Sequence, residues 1–225
     1  MATKYEGDFA ESLARLETEV KARRDWLGVN WVDDNTGSDR TVKVLDYACG
    51  PGTVSRALLG LATKYVGLDV SDGMIAQYNK FASSIGFPPE KMHAQQGNLV
   101  GDTVPDSLSG PEFFDFDFVG VGMALHHFAD PELSMKRFAA RTKKGGVCLV
   151  TDLVPGQNED IHQDNPEVGH VITRNGFGEK EMREMFASAG FTKSFDYQVV
   201  QEPLVFTMHG KRREMTVFMA KGELE

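Results

Sequence analysis

Cysteine is scarce in this sequence. Cys49 and Cys148 are its only cysteines, and they form no CxxC pair. This excludes a disulfide framework and a cysteine-based structural metal site, so we expect no metal and a reducing compartment. No apolar run approaches the roughly 20 residues that a membrane helix needs, and the first residues are too charged for a secretory signal. The sequence therefore predicts a cytoplasmic protein without a membrane span, and leaves a nuclear pool open.

Positive charge is also in short supply. The 24 Lys and Arg residues face 33 Asp and Glu residues, which gives a formal net charge of −9 at pH 7. Phosphate contacts require clustered Lys and Arg side chains, so this balance disfavours nucleic acid as a partner. Hydrophobic residues make up 41% of the chain and charged residues 25%, which is typical of a globular rather than a disordered protein.

Apolar runs alternate with amphipathic segments over the first two thirds of the chain. The spacing of apolar residues predicts a first helix over 8–27. The later runs predict strands at 41–47, 64–69, 92–96, 113–122 and 146–152, with helices at 53–62, 71–84 and 131–143. Near-continuous apolar strands separated by helices indicate a mostly parallel sheet that is covered by helices on both faces.

The last third has a different pattern. Residues 153–178 form a long polar stretch, which we interpret as a substrate-side insertion because structureless segments of this length are often functional. A helix is predicted at 179–189. Two strand-like runs, 194–208 and 213–221, then flank His209-Gly210-Lys211, and this arrangement indicates an antiparallel hairpin.

The complete pattern predicts an α/β fold. Five parallel strands and the two hairpin strands give a seven-stranded, mostly parallel sheet with helices on both faces and a C-terminal antiparallel hairpin. We expect a helical cap over 1–40 on one domain over 41–225. The hairpin leaves a sheet edge that can pair with a second copy, so the sequence is compatible with a monomer or a homodimer.

The residues that follow the first two strands are the candidates for ligand binding, because open α/β sheets bind ligands beyond the carboxyl ends of their strands. Gly50 and Gly52 follow the first strand and allow a tight turn that a ligand can approach closely. Asp46, just before the turn, offers a carboxylate to a cationic group. Asp69, after the second strand, can accept two hydrogen bonds from a ribose diol.

These segments resemble the class I S-adenosylmethionine-dependent methyltransferases. The first motif of that family is matched by VLDYACGPGT at 44–53, and the second by GLDVSDGM at 67–74. The fourth strand and its exit loop, FDFV at 116–119 and ALHHF at 124–128, resemble the small-molecule branch. The resemblance implies a Rossmann-like domain, methyltransferase activity and S-adenosylmethionine as the cofactor.

The resemblance also implies which residues hold that cofactor. The methionine part would face Asp46 and the turn residues Ala48, Cys49, Gly50, Pro51 and Gly52. The ribose and the adenine would contact Asp69, Val70 and Met74, followed by Gly97, Asn98 and Leu99. The family usually has an acidic residue near the adenine amine, where this chain has Asn98, whose side-chain carbonyl can accept a hydrogen bond from an amine. Gly122 and Met123 would lie beside the sulfonium methyl.

Methyl transfer depends mainly on the alignment of donor and acceptor, which can be worth about 7–11 kcal/mol. A general base is needed only if the acceptor must lose a proton. His126 and His127 are the nearest candidates, because histidine titrates near neutral pH. His170, in the polar stretch, is the second choice.

The identity of the acceptor stays open between several classes. A small organic molecule that reacts through oxygen, carbon, nitrogen or sulfur is the first expectation, and a protein partner is the second. A scaffold that binds the cofactor without turnover is a third reading. An NAD(P)-dependent oxidoreductase is disfavoured, because Ser55 replaces the third glycine of the dinucleotide-binding pattern.

Overall fold

A computed structural model of the chain describes residues 2–32, 40–156, 174–208 and 211–225. Its helices are α1 (Ala2–Ala22), α2 (Arg24–Leu27), α3 (Thr53–Ala57), α4 (Asp72–Ser84), α5 (Pro131–Ala139) and α6 (Glu179–Ser188). Its strands are β1 (Lys43–Tyr47), β2 (Lys64–Asp69), β3 (Met92–Gln96), β4 (Phe116–Gly122), β5 (Thr142–Leu153), β6 (Lys193–Val199), β7 (Leu204–Met208), β8 (Lys211–Met215) and β9 (Val217–Glu223).

The predicted α/β architecture is confirmed. Seven strands form one sheet in the order β3-β2-β1-β4-β5-β9-β6, and the pairs among β1 to β5 are parallel. Hydrophobic clusters cover both faces of this sheet, as expected for strands that are apolar on both sides. The chain order reverses between β1 and β4. This reversal opens a crevice at the carboxyl ends of β1 and β4, which is where such sheets bind ligands.

The C-terminal strands differ in detail from the prediction. Each of the two strand-like runs is divided, so that β6 and β9 join the main sheet as an antiparallel pair while β7 and β8 form a separate two-stranded hairpin. Pro203 explains the break before β7, because proline cannot donate a hydrogen bond within a strand ladder. The hairpin packs against α1, where the rings of Phe9 and Phe206 lie 5.6 Å apart.

The N-terminal helix begins earlier than predicted and is interrupted. Helix α1 ends at Ala22, and α2 ends at Leu27, before Gly28, whose φ of 75° is left-handed. Leu16 and Val20 of α1 are 1% and 0% exposed, so this face is buried as its apolar spacing predicts. The indole nitrogen of Trp26 donates to Asp196 Oδ2 at 2.7 Å and joins α2 to β6.

The two described ends of the polar stretch after β5 meet beside that strand. Residues 157–173 lie outside the described residues, but both ends of the stretch are described. The Phe177 backbone N–H donates to the Leu153 carbonyl at 2.9 Å. Gly176 has a φ of 113°, and a Cβ there would stand 2.3 Å from the same carbonyl oxygen. Only glycine fits this junction, so the two ends are fixed together.

None of the helices in the described part of the chain combines the length and the apolar character that a membrane span requires.

Candidate functional site

A cavity of about 400 Å³ lies at the carboxyl ends of β1, β2 and β4. This volume is in the range of sites for small ligands. Its lining combines two carboxylates, the turn after β1, the loop after β4 and one side of α1: Leu13, Leu16, Asp46, Ala48, Cys49, Gly50, Pro51, Thr53, Val54, Asp69, Ser71, Met74, Gly122, Met123, Ala124 and His127.

The turn between β1 and α3 presents bare backbone to the cavity. Gly50 and Gly52 have φ values of 50° and 93°, which L side chains rarely adopt. A Cβ on Gly52 would stand 2.9 Å from Cδ2 of Tyr78, whereas a Cβ on Gly50 would meet no atom within 4 Å. Gly52 therefore allows α4 to pack closely, and Gly50 leaves open space that a ligand can fill.

Two further backbone positions at the cavity are left-handed without being glycine. Ala48 and Met123 have φ values of 51° and 54°, and both line the cavity. The Met123 N–H donates to the Thr151 carbonyl at 2.8 Å, which fixes the start of the loop after β4. Strain of this kind costs about 1–3 kcal/mol per residue and is concentrated at functional sites.

Asp46 is buried beneath the turn and is 1% exposed. Its Oδ2 accepts hydrogen bonds from the backbone N–H and the hydroxyl of Ser55, at 2.9 and 2.8 Å. The Ser55 hydroxyl also lies 2.8 Å from the hydroxyl of Tyr78. Burial raises the pKa of Asp46 from 3.8 to about 7, and the nearby charge of Asp69 acts in the same direction. Asp46 thus supports the turn as well as lining the cavity.

Asp69 ends β2 and ties together the two turns that border the cavity. Its Oδ2 accepts from the Gly50 N–H at 2.9 Å, and its Oδ1 accepts from the Ser71 N–H at 2.9 Å. An ionised carboxylate has about four positions at which it can accept a hydrogen bond. Both oxygens can therefore also accept from a ligand diol.

Only some of the residues predicted to bind the adenine and the ribose line this cavity. Met74 lines it, while Val70, Gly97, Asn98 and Leu99 are not among its lining residues. Val70 is 63% exposed at the end of β2. Asn98 Oδ1 already accepts from the Val100 N–H at 2.9 Å and from the Tyr47 hydroxyl at 3.3 Å. The predicted hydrogen bond from an adenine amine would share this oxygen with both donors.

The two candidate histidines after β4 have different surroundings. His127 lines the cavity. His126 is buried behind it, with Nδ1 at 2.7 Å from Oδ1 of Asp152. The two imidazole rings lie 4.0 Å apart, centre to centre. The structure thus brings His127 to the site and gives His126 a carboxylate partner. His170 lies outside the described residues.

The structure adds residues that the sequence did not single out. Ser55, Tyr78 and Asp152 hold the predicted site residues through contacts between distant parts of the chain. Leu13 and Leu16 of α1 close one side of the cavity; their helical apolar spacing was the available signal. Within the described ranges, no group of three or more His, Cys, Asp or Glu residues is arranged to hold a metal ion.

Comparison with known proteins identifies similar chains. A family model described as a methyltransferase domain matches residues 1–194. An uncharacterised methyltransferase of Schizosaccharomyces pombe is 28% identical over 156 residues, covering 68% of this chain and 54% of that protein. A ubiquinone biosynthesis O-methyltransferase of Acinetobacter baumannii is 27% identical over 124 residues, covering 53% and 47%. The chain thus spans about half the length of the curated relatives it matches.

Solved structures share the fold at lower sequence identity. The YcgJ protein of Bacillus subtilis superposes with a TM-score of 0.62 at 16% identity, covering 93% of this chain and 97% of that one. The magnesium protoporphyrin IX methyltransferase of Synechocystis, solved with bound S-adenosylhomocysteine, superposes with a TM-score of 0.54 at 13% identity, covering 92% and 83%. At these identities the likeness concerns the fold.

Proposed function

Since this chain belongs to the methyltransferase-domain family whose model matches residues 1–194, we propose that it transfers a methyl group from S-adenosylmethionine to a small organic acceptor. One observation carries the proposal. The cavity at the switch point of the sheet is lined by Asp46, Asp69 and the open backbone at Gly50. These groups suit the cationic and diol-bearing parts of an adenosyl ligand.

The groups that line the cavity fit the chemistry of that ligand. A carboxylate at Asp46 attracts a cationic ammonium or sulfonium, and the oxygens of Asp69 can accept from ribose hydroxyls. Gly50 leaves room for close approach of the ligand to the backbone. When bound, S-adenosylmethionine supplies a methyl group on a positively charged sulfur, which leaves as a neutral thioether.

The apolar side chains in the cavity lining support a small, largely apolar acceptor. Leu13, Leu16, Met123 and Ala124 are apolar, and His127 is the ionisable side chain among them. A neutral imidazole can accept the proton of an acidic hydroxyl, so the wall favours an oxygen nucleophile. The similarity to the Acinetobacter relative, which is an O-methyltransferase, supports the same choice.

The main contribution of the protein is alignment. Side chains from α1 and the loop after β4 hold the acceptor on one side of the cavity, while the turn and Asp69 hold the donor on the other. Fixing two reactants in this way can lower the barrier by about 7–11 kcal/mol.

A labelled-methyl assay tests the proposal. We expect the purified chain, given S-adenosylmethionine with a radioactive methyl group, to label the small-molecule fraction of a cell extract. His127→Gln should lower the rate of labelling roughly 100-fold or more if the acceptor must lose a proton. Label in the protein fraction alone would identify a protein acceptor instead. Bound cofactor without label in either fraction would identify a scaffold that does not catalyse methyl transfer.

A further inference from the structure

A fully buried carboxylate stands behind the histidines of the cavity wall. Asp152 is 0% exposed and lies near the end of β5. The preceding residue, Thr151, pairs with Gly122 at the end of β4. Because β4 and β5 are parallel neighbours, the loop that leaves β4 starts beside Asp152. An isolated carboxylate is costly to bury, so its hydrogen-bond partners decide what it does.

Both oxygens of Asp152 are used to hold that loop. Oδ2 accepts from the His126 backbone N–H at 3.0 Å. Oδ1 accepts from His126 Nδ1 at 2.7 Å and from the Leu153 N–H at 2.7 Å. An ionised carboxylate only accepts hydrogen bonds, so Nδ1 of His126 carries the proton of this bond. In the neutral ring, Nε2 is then the nitrogen without hydrogen.

A ring contact connects this pair to the cavity. The His126 ring lies 4.0 Å from the His127 ring, at an interplanar angle of 46°. His127 is the next residue along the chain and lines the cavity. Any change in the orientation of the His126 ring therefore changes the surface against which His127 rests.

We propose that Asp152 is a positioning residue for methyl transfer, which fixes the tautomer and orientation of His126 and thereby the place of His127 in the cavity wall. This inference rests on the proposed function. It differs from a purely structural role in two respects. It requires one defined tautomer of His126, and it requires that Asp152 and His126 act as a unit on the rate.

Nitrogen NMR tests the first requirement without any methyl acceptor. In the full chain labelled with ¹⁵N-histidine and bound to S-adenosylhomocysteine, we expect His126 to show the form protonated on Nδ1 alone. Asp152→Asn should replace that signature by a mixture of tautomers, because the amide can also donate. Spectra of His126→Gln and His127→Gln assign the signals. If His126 is protonated on Nε2 in the wild-type protein, the proposal fails.

A double-mutant cycle tests the second requirement, using the acceptor fraction found in the labelling assay. We expect Asp152→Asn and His126→Gln each to lower kcat roughly 10- to 100-fold, with the Kd for S-adenosylhomocysteine within about twofold of wild type. The double variant should lose no more than either single variant, because residues that act as a unit are not additive. Additive losses would overturn the proposal.

Asp117→Asn is the matched control. Asp117 is also a buried strand carboxylate, 7% exposed, but it lies at the opposite end of β4 and accepts from the Lys43 N–H at 2.8 Å. Its loss should lower stability and leave kcat unchanged. If Asp152→Asn lowers only stability, as this control does, Asp152 is a structural anchor. If the wild-type protein does not bind S-adenosylhomocysteine, the proposed function fails, whereas the tautomer of His126 can still be measured by the same NMR experiment on the chain without that ligand.

Discussion

Asp46 is one of two buried carboxyl groups that line the cavity, and its charge depends on pH near neutrality. Its carboxyl is enclosed by the turn and by Ser55, and burial raises its pKa to about 7. Near neutral pH the group is therefore divided between a neutral acid and a carboxylate. Only the carboxylate attracts a cationic ligand, so binding and proton release are linked at this residue.

The affinity for S-adenosylmethionine should consequently rise with pH through about 7, the raised pKa of Asp46. Below that value the ligand must displace a proton, which weakens binding by up to about tenfold per pH unit. Calorimetric titration over about 3 pH units, from roughly 5.5 to roughly 8.5, measures how steeply the affinity depends on pH. Asp46→Asn should bind more weakly and flatten the curve, while Asp117→Asn should keep it. An unchanged slope in Asp46→Asn would contradict the assignment.

The same group affects folding with the opposite dependence on pH. Its pKa in the folded chain is above the ordinary value of 3.8, so the folded state binds the proton more tightly than the unfolded state. The free energy of unfolding therefore falls as pH rises from about 4 to about 7, by a few kcal/mol at most. Ser55 counteracts part of this loss, because its two hydrogen bonds stabilise the charged form.

At the scale of elements, the turn from β1 to α3 shows why glycine spacing carries so much information. The backbone conformation at Gly52 disfavours a side chain, and the ring of Tyr78 on α4 occupies the space where a Cβ would lie. One small residue thus sets both the shape of the turn and the distance between two helices.

Gly52→Ala should destabilise the chain by about 2–4 kcal/mol, from the left-handed backbone and the contact with Tyr78 together. Gly60→Ala is the matched control, since Gly60 has a φ of 82° but a Cβ there meets no atom within 4 Å. We expect about 1–2 kcal/mol for the control. Urea unfolding gives the difference, which reports the Tyr78 contact; equal losses would show that this contact is unimportant.

Local patterns were sufficient for most elements and for predicting which strand ends meet at one edge of the sheet. Asp46 and Asp69 lie at the carboxyl ends of strands that hydrophobic runs identify, and Gly50 and Gly52 follow the first of these strands. The sheet then brings the strand ends together. The partners that hold them could not be predicted, because Tyr78 reaches Ser55 only after helix α4 packs. The same holds for Asp152, which meets His126 across 26 positions of sequence.

The division of the C-terminal strands was harder to predict from the sequence than the other elements. Pro203 marks the break before β7, but apolar alternation continues on both sides of it. Whether such a run joins the main sheet or packs on α1 depends on tertiary contacts such as that between Phe9 and Phe206. The local pattern therefore located the strand-like runs, while their division into four strands and the sheet to which each strand belongs required the structure.

At the scale of the whole molecule, ligand binding should appear as thermal stability. A ligand at 100 times its Kd adds about 2.7 kcal/mol to the free energy of unfolding. For a domain of this size, that corresponds to a rise in Tm of roughly 5–11 °C. Differential scanning fluorimetry with S-adenosylhomocysteine should show the rise, and NAD should show none. A rise with NAD alone would favour the oxidoreductase reading instead.

The junction at Leu153 and Phe177 has a consequence for how such a protein can diversify. Since the hydrogen bond from the Phe177 N–H to the Leu153 carbonyl joins the two described ends, the stretch between them can be exchanged or lengthened without shifting the strand register. Closing a longer loop adds only about 0.6 kcal/mol for each doubling of its length. Chimeras that carry this stretch from other family members should keep the scaffold intact, which makes it a natural position for evolving or engineering new selectivity.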